Sequence, residues 1–199
     1  MASIDYYFAT VSPWAYLGHA RFVAMAQAAL ATVRVKPMDL GEIFPVSGGL
    51  PLAKRAPQRQ AYRLVELKRF SDWLGIPLQT QPAHFPVNGN DAAKLIIAVD
   101  AAHGSAAALD VAHRVGAAIW AEQRNVADHA VLAALLAEAG LPLALLDAAT
   151  LDAAAPRYAA YTAEARDLGV FGAPSWVIDG EIFWGQDRLD FVQRRLQRG

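Results

Sequence analysis

Three short segments carry the residue types from which chemistry could be built. Ser12-Pro13-Trp14 lies near the start, Ala173-Pro174 sits within Val170–Ser175, and Trp184-Gly185-Gln186-Asp187 follows soon after. Ser12 stands before a proline suited to the first position of a helix, where a missing N–H costs nothing. Its oxygen can cap that helix while its proton is donated to an anion, and the helix end adds about half a positive charge. Such a site lowers the pKa of a thiol. Pro174, placed as the first residue of a strand and expected in the cis form, exposes the backbone of Ala173. That backbone can pair antiparallel with an extended peptide, as an added strand does. Gln186, Asp187 and the N–H groups of a helix start offer an amide, a carboxylate and donors to the amino-acid end of that peptide. Each residue also has a plainer role: Ser12 and Asp187 as helix caps, Pro174 in trans within a loop.

Short elements must position these groups. Ile4–Phe8 reads as a strand, and Pro13 to about Leu30 as a helix with Trp14, Leu17, Phe22 and Met25 apolar. Thr32–Met38 alternates and predicts a second strand. Ser175–Ile178, an Asp179-Gly180 hairpin turn and Glu181–Trp184 predict two more. A last helix, Arg188–Arg198, is expected to turn Leu189, Phe191, Val192 and Leu196 inward. This order is the skeleton of an α/β thioredoxin-like fold. A redox enzyme on that skeleton would carry Cys-x-x-Cys at the first turn. Here the turn reads Ser12-Pro13-Trp14-Ala15, and the chain has no cysteine. It therefore cannot run dithiol–disulfide exchange with its own residues. Its sulfur must be borrowed, and the obvious soluble source is glutathione, itself a cysteinyl peptide. The same absence excludes thiolate metal sites and a disulfide framework, and it fits a reducing compartment.

Between the chain ends the pattern is helical. Gly41–Pro57, rich in Gly and Pro, reads as a loop too long for a simple connector. Gln58–Leu74 carries a stripe at Tyr62, Val65, Leu67 and Phe70. After a proline-rich break at Pro77–Asn90 come Asp91–Ala102, Ser105–Gln123, Asp128–Ala139 and Asp152–Leu168, whose alanines favour helix. The expected organisation is a discontinuous thioredoxin-like domain, 1–40 and 169–199, interrupted by a loop and an all-helical insertion, 41–168. At 199 residues the chain can bury a substantial core. Its net charge of −1 gives no basic footprint for nucleic acid. No cationic segment followed by an apolar one opens the chain, and no apolar stretch reaches the roughly 20 residues that span a bilayer. A cytoplasmic protein without nucleic-acid or membrane partners is expected. His19, His103, His113 and His129 lack metal-ligand spacing and read as structural, so no metal is expected.

Ser12-Pro13-Trp14-Ala15-Tyr16-Leu17, Gly49–Arg55, Gly169–Pro174 and Phe183–Leu189 together resemble the 2-hydroxychromene-2-carboxylate isomerases. Those are relatives of the kappa-class glutathione transferases within the wider DsbA-like group. The resemblance spans essentially the whole chain. The Ser-Pro-aromatic turn and Gly-Val-Phe-Gly-x-Pro are its specific parts, and the middle is much less so. It implies a thioredoxin fold with a helical insert, a homodimer, and bound glutathione. Ser12 would hold the glutathione sulfur, Ala173 with Pro174 the backbone clamp, and Trp184, Gly185, Gln186 and Asp187 the γ-glutamyl end. An aromatic-acid pocket between the turn and the insertion is implied as well. Lys54, Arg55 and Arg59 would suit its carboxylate, with His84, Phe85 and Asn88 facing the substrate. The chain departs from the naphthalene-pathway enzymes at Phe44, near which their substrate-binding lysine aligns.

The expected function is a glutathione-dependent isomerase of aromatic catabolism. It would convert 2-hydroxychromene-2-carboxylate, or a related enone, to trans-o-hydroxybenzylidenepyruvate by reversible thiolate addition. A kappa-like transferase or peroxidase that consumes glutathione is the nearest alternative, and a non-catalytic thioredoxin-fold binding module the more distant one.

Overall fold

The protein is described by a computed structural model over residues 2–197. Strands β1 (Ser3–Phe8), β2 (Thr32–Pro37), β3 (Ser175–Ile178) and β4 (Glu181–Trp184) form one sheet in the order β2-β1-β3-β4. β1 runs parallel to β2, with helix α1 (Pro13–Ala28) between them, and antiparallel to β3. β3 and β4 form a hairpin through Asp179 and Gly180, both at positive φ, as a tight two-residue turn requires. The two chain ends thus share one sheet.

Strand alternation sorts the core into two layers. Ile4, Tyr6, Phe8, Trp176 and Ile178 point into the larger one, while Tyr7 and Val177 point into a smaller one with Met38, Ile43, Ala165 and Val170. Tyr6 is its centre: its ring lies 4.6 Å from Phe8, 4.8 Å from Phe22 and 5.8 Å from Trp176. On the other face Lys36 is buried yet paired, 3.1 Å from Asp5 and 2.7 Å from Glu164. A buried ammonium needs such partners.

The intervening chain folds as α2 (Leu40–Ser47), α3 (Pro57–Leu74), α4 (Asn90–His103), α5 (Ser105–Trp120), α6 (His129–Glu138) and α7 (Ala148–Asp167). Helices α4, α5 and α6 contribute Leu95, Ile96, Val115, Ile119, Leu132 and Leu136 to the same larger core. Helix α8 (Leu189–Gln197) closes the fold. No described helix is long and apolar enough to cross a membrane.

Several sequence expectations need correction. Gly41–Pro57 is not a plain loop: the Asp39 carboxylate accepts from the Gly41 N–H, caps α2 and so offsets Gly41 and Pro45, while Ile43 is buried beneath. On α3 only Leu67 of the expected stripe is fully buried; Tyr62 and Val65 are exposed. On α8 Leu189 and Val192 are buried, but Phe191 faces outward, as a residue 100° to 200° from both must. Arg198, the expected end of that helix, lies outside the described residues, as does Gly199.

His19 gives the core a pH dependence. It is 4% exposed, and its Nε2 lies 2.9 Å from the Leu109 carbonyl, which can only accept. Nε2 therefore carries the proton, and Nδ1 accepts from the Tyr6 hydroxyl at 3.3 Å. Burial, then the nearby His113, lower the His19 pKa to about 4. The unfolded chain binds a proton near pH 6.5 that the folded chain refuses. Stability is thus complete above about pH 6.5 and falls as pH drops toward 4. Between pH 7 and 4.5 this group should remove about 2–3 kcal/mol. Urea unfolding at the two pH values should show that difference shrinking in His19→Gln, whose amide can still donate to Leu109 and accept from Tyr6.

Candidate active site

The turn from β1 into α1 is built on Ser12. Its N–H donates to the Ala9 carbonyl at 3.0 Å, its carbonyl accepts from Tyr16, and its Oγ accepts from the Ala15 N–H at 3.2 Å. Pro13 has no N–H to place. Because capping uses an oxygen lone pair, the Ser12 hydroxyl proton remains free to donate. No acidic residue occupies the first turn of α1, so its positive end is not neutralised from within the helix. Ser12 is 7% exposed, so its hydroxyl sits in a mostly dry setting.

Pro174 lies beside this turn because of strand register. Tyr7 pairs with Ser175 and Tyr6 with Trp176. The Tyr7–Ser175 pair lies two residues before Ala9, which anchors the Ser12 N–H, and two residues after Ala173. The Ala173–Pro174 bond is cis. Pro174 is buried and its carbonyl accepts from the Gly185 N–H at 2.9 Å, while Ala173 is half-buried. Among the described residues neither the N–H nor the C=O of Ala173 has a hydrogen-bond partner. An unpaired N–H and C=O next to a ladder's end are an edge onto which a short extended peptide can add.

Beyond β4 the chain turns at Gly185, whose φ of +100° favours glycine, into a short 3-10 turn, Gln186–Arg188. The expectation that the Gln186 amide faces a ligand is corrected. Gln186 is 2% exposed; its backbone carbonyl accepts from Arg21 Nη2 at 3.0 Å, and its side-chain oxygen is bonded to the same guanidinium. Gly18 on α1 leaves the space that Gln186 fills. Asp187 by contrast is exposed, and its carboxylate is 2.7 Å from Arg188. It makes no helix-capping bond in that turn. Trp184 is half exposed and packs against Phe171 at 4.8 Å.

The expected substrate residues divide. Lys54, Arg59 and His84 are exposed. Arg55 donates from Nε to the Leu50 carbonyl at 2.8 Å and lies over the Phe44 ring. Burial, then the charge of Arg59, lower its pKa. Asn88 is exposed, and its side-chain oxygen accepts from the Asn90 N–H at the start of α4. Phe85 is half-buried and packs 4.7 Å from Trp120. The segment reaches the Ser12 turn, since Thr10 Oγ1 donates to the Gly89 carbonyl at 3.1 Å. Sequence reasoning missed Arg63 and Arg21. Arg21 is an unremarkable helix position until the fold brings Gln186 to it. Arg63 lies four residues after Arg59, one turn on, which is the signal that could have found it. A cleft of about 460 Å³ between α4 and α7, lined by Asp100, Arg157 and Tyr161 among others, holds none of these residues.

Comparison with known proteins agrees with this fold. The profile of the DSBA-like thioredoxin domain matches residues 3–197. The chain is 29% identical over 197 residues to the 2-hydroxychromene-2-carboxylate isomerase of Sphingobium xenophagum, covering 98% of this chain and 97% of that one. It is 30% identical over 199 residues to the enzyme of that name from Pseudomonas putida, covering 98% and 94%. The solved structure of a 2-hydroxychromene-2-carboxylate isomerase superposes with a TM-score of 0.84 at 27% identity, covering 98% of this chain and 95% of that one.

The Gly18–Gln186 contact can be tested alone. A Cβ at position 18 would lie 2.8 Å from the Gln186 Cβ, which Arg21 holds in place. Helix propensity favours Gly18→Ala by about 1 kcal/mol, but overpacking costs about 1–3 kcal/mol. A net loss of about 1 kcal/mol in urea unfolding is expected; a gain would show that the 185–188 turn gives way.

Proposed function

The chain belongs to the DsbA-like thioredoxin family and, within it, with the 2-hydroxychromene-2-carboxylate isomerases; from that premise we propose that it is a glutathione-dependent isomerase of an aromatic enone acid. One observation carries the reading. In a chain without cysteine, Ser12 offers a free hydroxyl proton at an unneutralised helix end, beside the unpaired backbone of Ala173.

The residues present fit glutathione. Ala173 offers one N–H and one C=O to the cysteinyl residue, and Ser12 its proton to the sulfur. Asp187, exposed in the Gln186–Arg188 turn, offers a carboxylate to the ammonium of the γ-glutamyl end. Its existing partner, Arg188, is adjacent and exposed, so a second cation costs little.

When bound, glutathione would supply a thiolate that adds reversibly to the enone, allows rotation about the former double bond, and leaves again unconsumed. The chain's own part is electrostatic. Ser12 donates to the charged form and so favours it. The end of α1 acts in the same direction. Ala173 fixes the peptide, so the sulfur is presented rather than searching. With this reading go the cytoplasm, an aromatic carboxylate substrate and a homodimer. A glutathione-consuming transferase is separated by stoichiometry: the isomerase turns over many substrates per glutathione, the transferase one.

Ser12→Ala should lower turnover of 2-hydroxychromene-2-carboxylate near neutral pH by about one to two orders of magnitude, the equivalent of one charge-assisted hydrogen bond. Activity should partly return as pH rises and the thiol ionises unaided. A pH–rate profile identical to that of the wild type would make Ser12 a helix cap only. Asp187→Ala should weaken glutathione binding in calorimetric titration by about 1–3 kcal/mol. Its thermal stability should hardly change, because the side chain caps nothing; a collapse of stability with unchanged affinity would reverse that assignment.

A further inference from the structure

Arg63, in the second turn of α3, holds its guanidinium over two aromatic rings, 5.6 Å from the centroid of Phe85 and 5.7 Å from that of Trp120. Among the described residues no carboxylate lies within 4 Å of it, nor of Lys54, Arg55 or Arg59 nearby in the chain. Burial, then the charge of Arg55, push its pKa down to about 10. A half-buried cation with cationic neighbours and no counterion is costly, and an apolar side chain would cover the same rings without that cost.

Arg63 lies on the face of α3 that meets α1. It precedes Phe70 by seven residues, two turns along the same face of α3, and Phe70 packs edge-on against Trp14 in the first turn of α1 at 5.8 Å. Phe85, beneath the guanidinium, belongs to the segment whose Gly89 carbonyl accepts from Thr10, two residues before Ser12.

We propose that Arg63 receives the carboxylate of the aromatic acid, setting its ring against Phe85 in front of Ser12. The assignment rests on the isomerase reading for what stands at Ser12. A guanidinium suits the role because its planar fork takes both carboxylate oxygens at once. Arg63 is then the inner, specificity-determining cation, and Lys54 and Arg59 lie on the exposed rim.

The test is calorimetric titration of the full-length protein with cinnamate and with cinnamamide, its uncharged counterpart. The wild type should prefer cinnamate. Arg63→Met should bind cinnamate about ten- to hundredfold more weakly, with cinnamamide and glutathione affinities unchanged. Arg63→Lys, which keeps the charge but not the fork, should fall between them and decides the matter if Arg63→Met does not fold. Equal loss of both probes in either variant would reduce Arg63 to packing and overturn the inference, as would a wild type indifferent to the carboxylate. A protein that ignores glutathione yet keeps the Arg63-dependent preference refutes the isomerase reading and leaves this inference standing. One that isomerises with a preference insensitive to position 63 does the reverse.

Discussion

The pairing of β1 with β3 is the constraint on which everything else depends. It joins strands from opposite ends of the chain, so its loop-closure cost is met only by what it buries. That burial is Tyr6 against Trp176, stacked at 5.8 Å inside a cluster with Phe8 and Phe22. A slip of one residue in β3 would turn Trp176 to the opposite face and Val177 into the larger core. The register is therefore strongly specified. The same register brings the strand that follows Ala173-Pro174 alongside β1, whose end leads into the Ser12 turn. The site is not assembled by contacts of its own; it is what remains open where a well-packed ladder ends.

Charge follows a similar logic. The end of α1 carries a partial positive charge that no side chain of its first turn cancels, and Ser12 has its acceptor occupied and its donor free. Such a site suits an anion, which on the proposed reading a chain without cysteine takes from outside. The region around α3 repeats the pattern with full charges, since Arg55 and Arg63 are partly desolvated and lack carboxylate partners among the described residues. The net charge of −1 conceals this, because the compensating carboxylates are spent elsewhere. Asp5 and Glu164 hold Lys36 beneath the sheet, and Glu138 holds Arg124.

Much of the fold was legible because its signals are local. The Ser12-Pro13 helix start, the Asp179-Gly180 hairpin and the alternation of β2 depend on neighbours in sequence, and all three elements stand where they were expected. What was not legible depends on partners far away. Gln186 reads as a surface amide until Arg21, 165 residues earlier, is brought beneath it. Tyr62 and Phe191 fit an apolar helix stripe in spacing but not in the direction each helix faces, which only packing decides. The Gly- and Pro-rich segment after β2 hid α2, because Asp39 and the buried Ile43 outweigh two weak helix formers. Arg63 was invisible for a related reason: an arginine on a helix reads as solvated until Phe85 and Trp120 are found against it.

The two walls of the candidate site differ in how firmly they are held, and that difference bears on how such a protein could change. Ser12 sits on α1, which buries eight of its residues, and Ala173 abuts a strand buried along its whole length. Shifting either would disturb packing at interior density, where even one methylene is felt. Arg63 sits on α3, where Leu67 alone is fully buried. Substitutions on exposed positions of that helix cost little stability, and its stem can move without reopening the core. The groups proposed to hold glutathione therefore stand on the most constrained elements, and those proposed to read the substrate on the least constrained. On the proposed reading, changes in α3 and the segment around Phe85 alter the acid accepted while the geometry at Ser12 and Ala173 stays fixed.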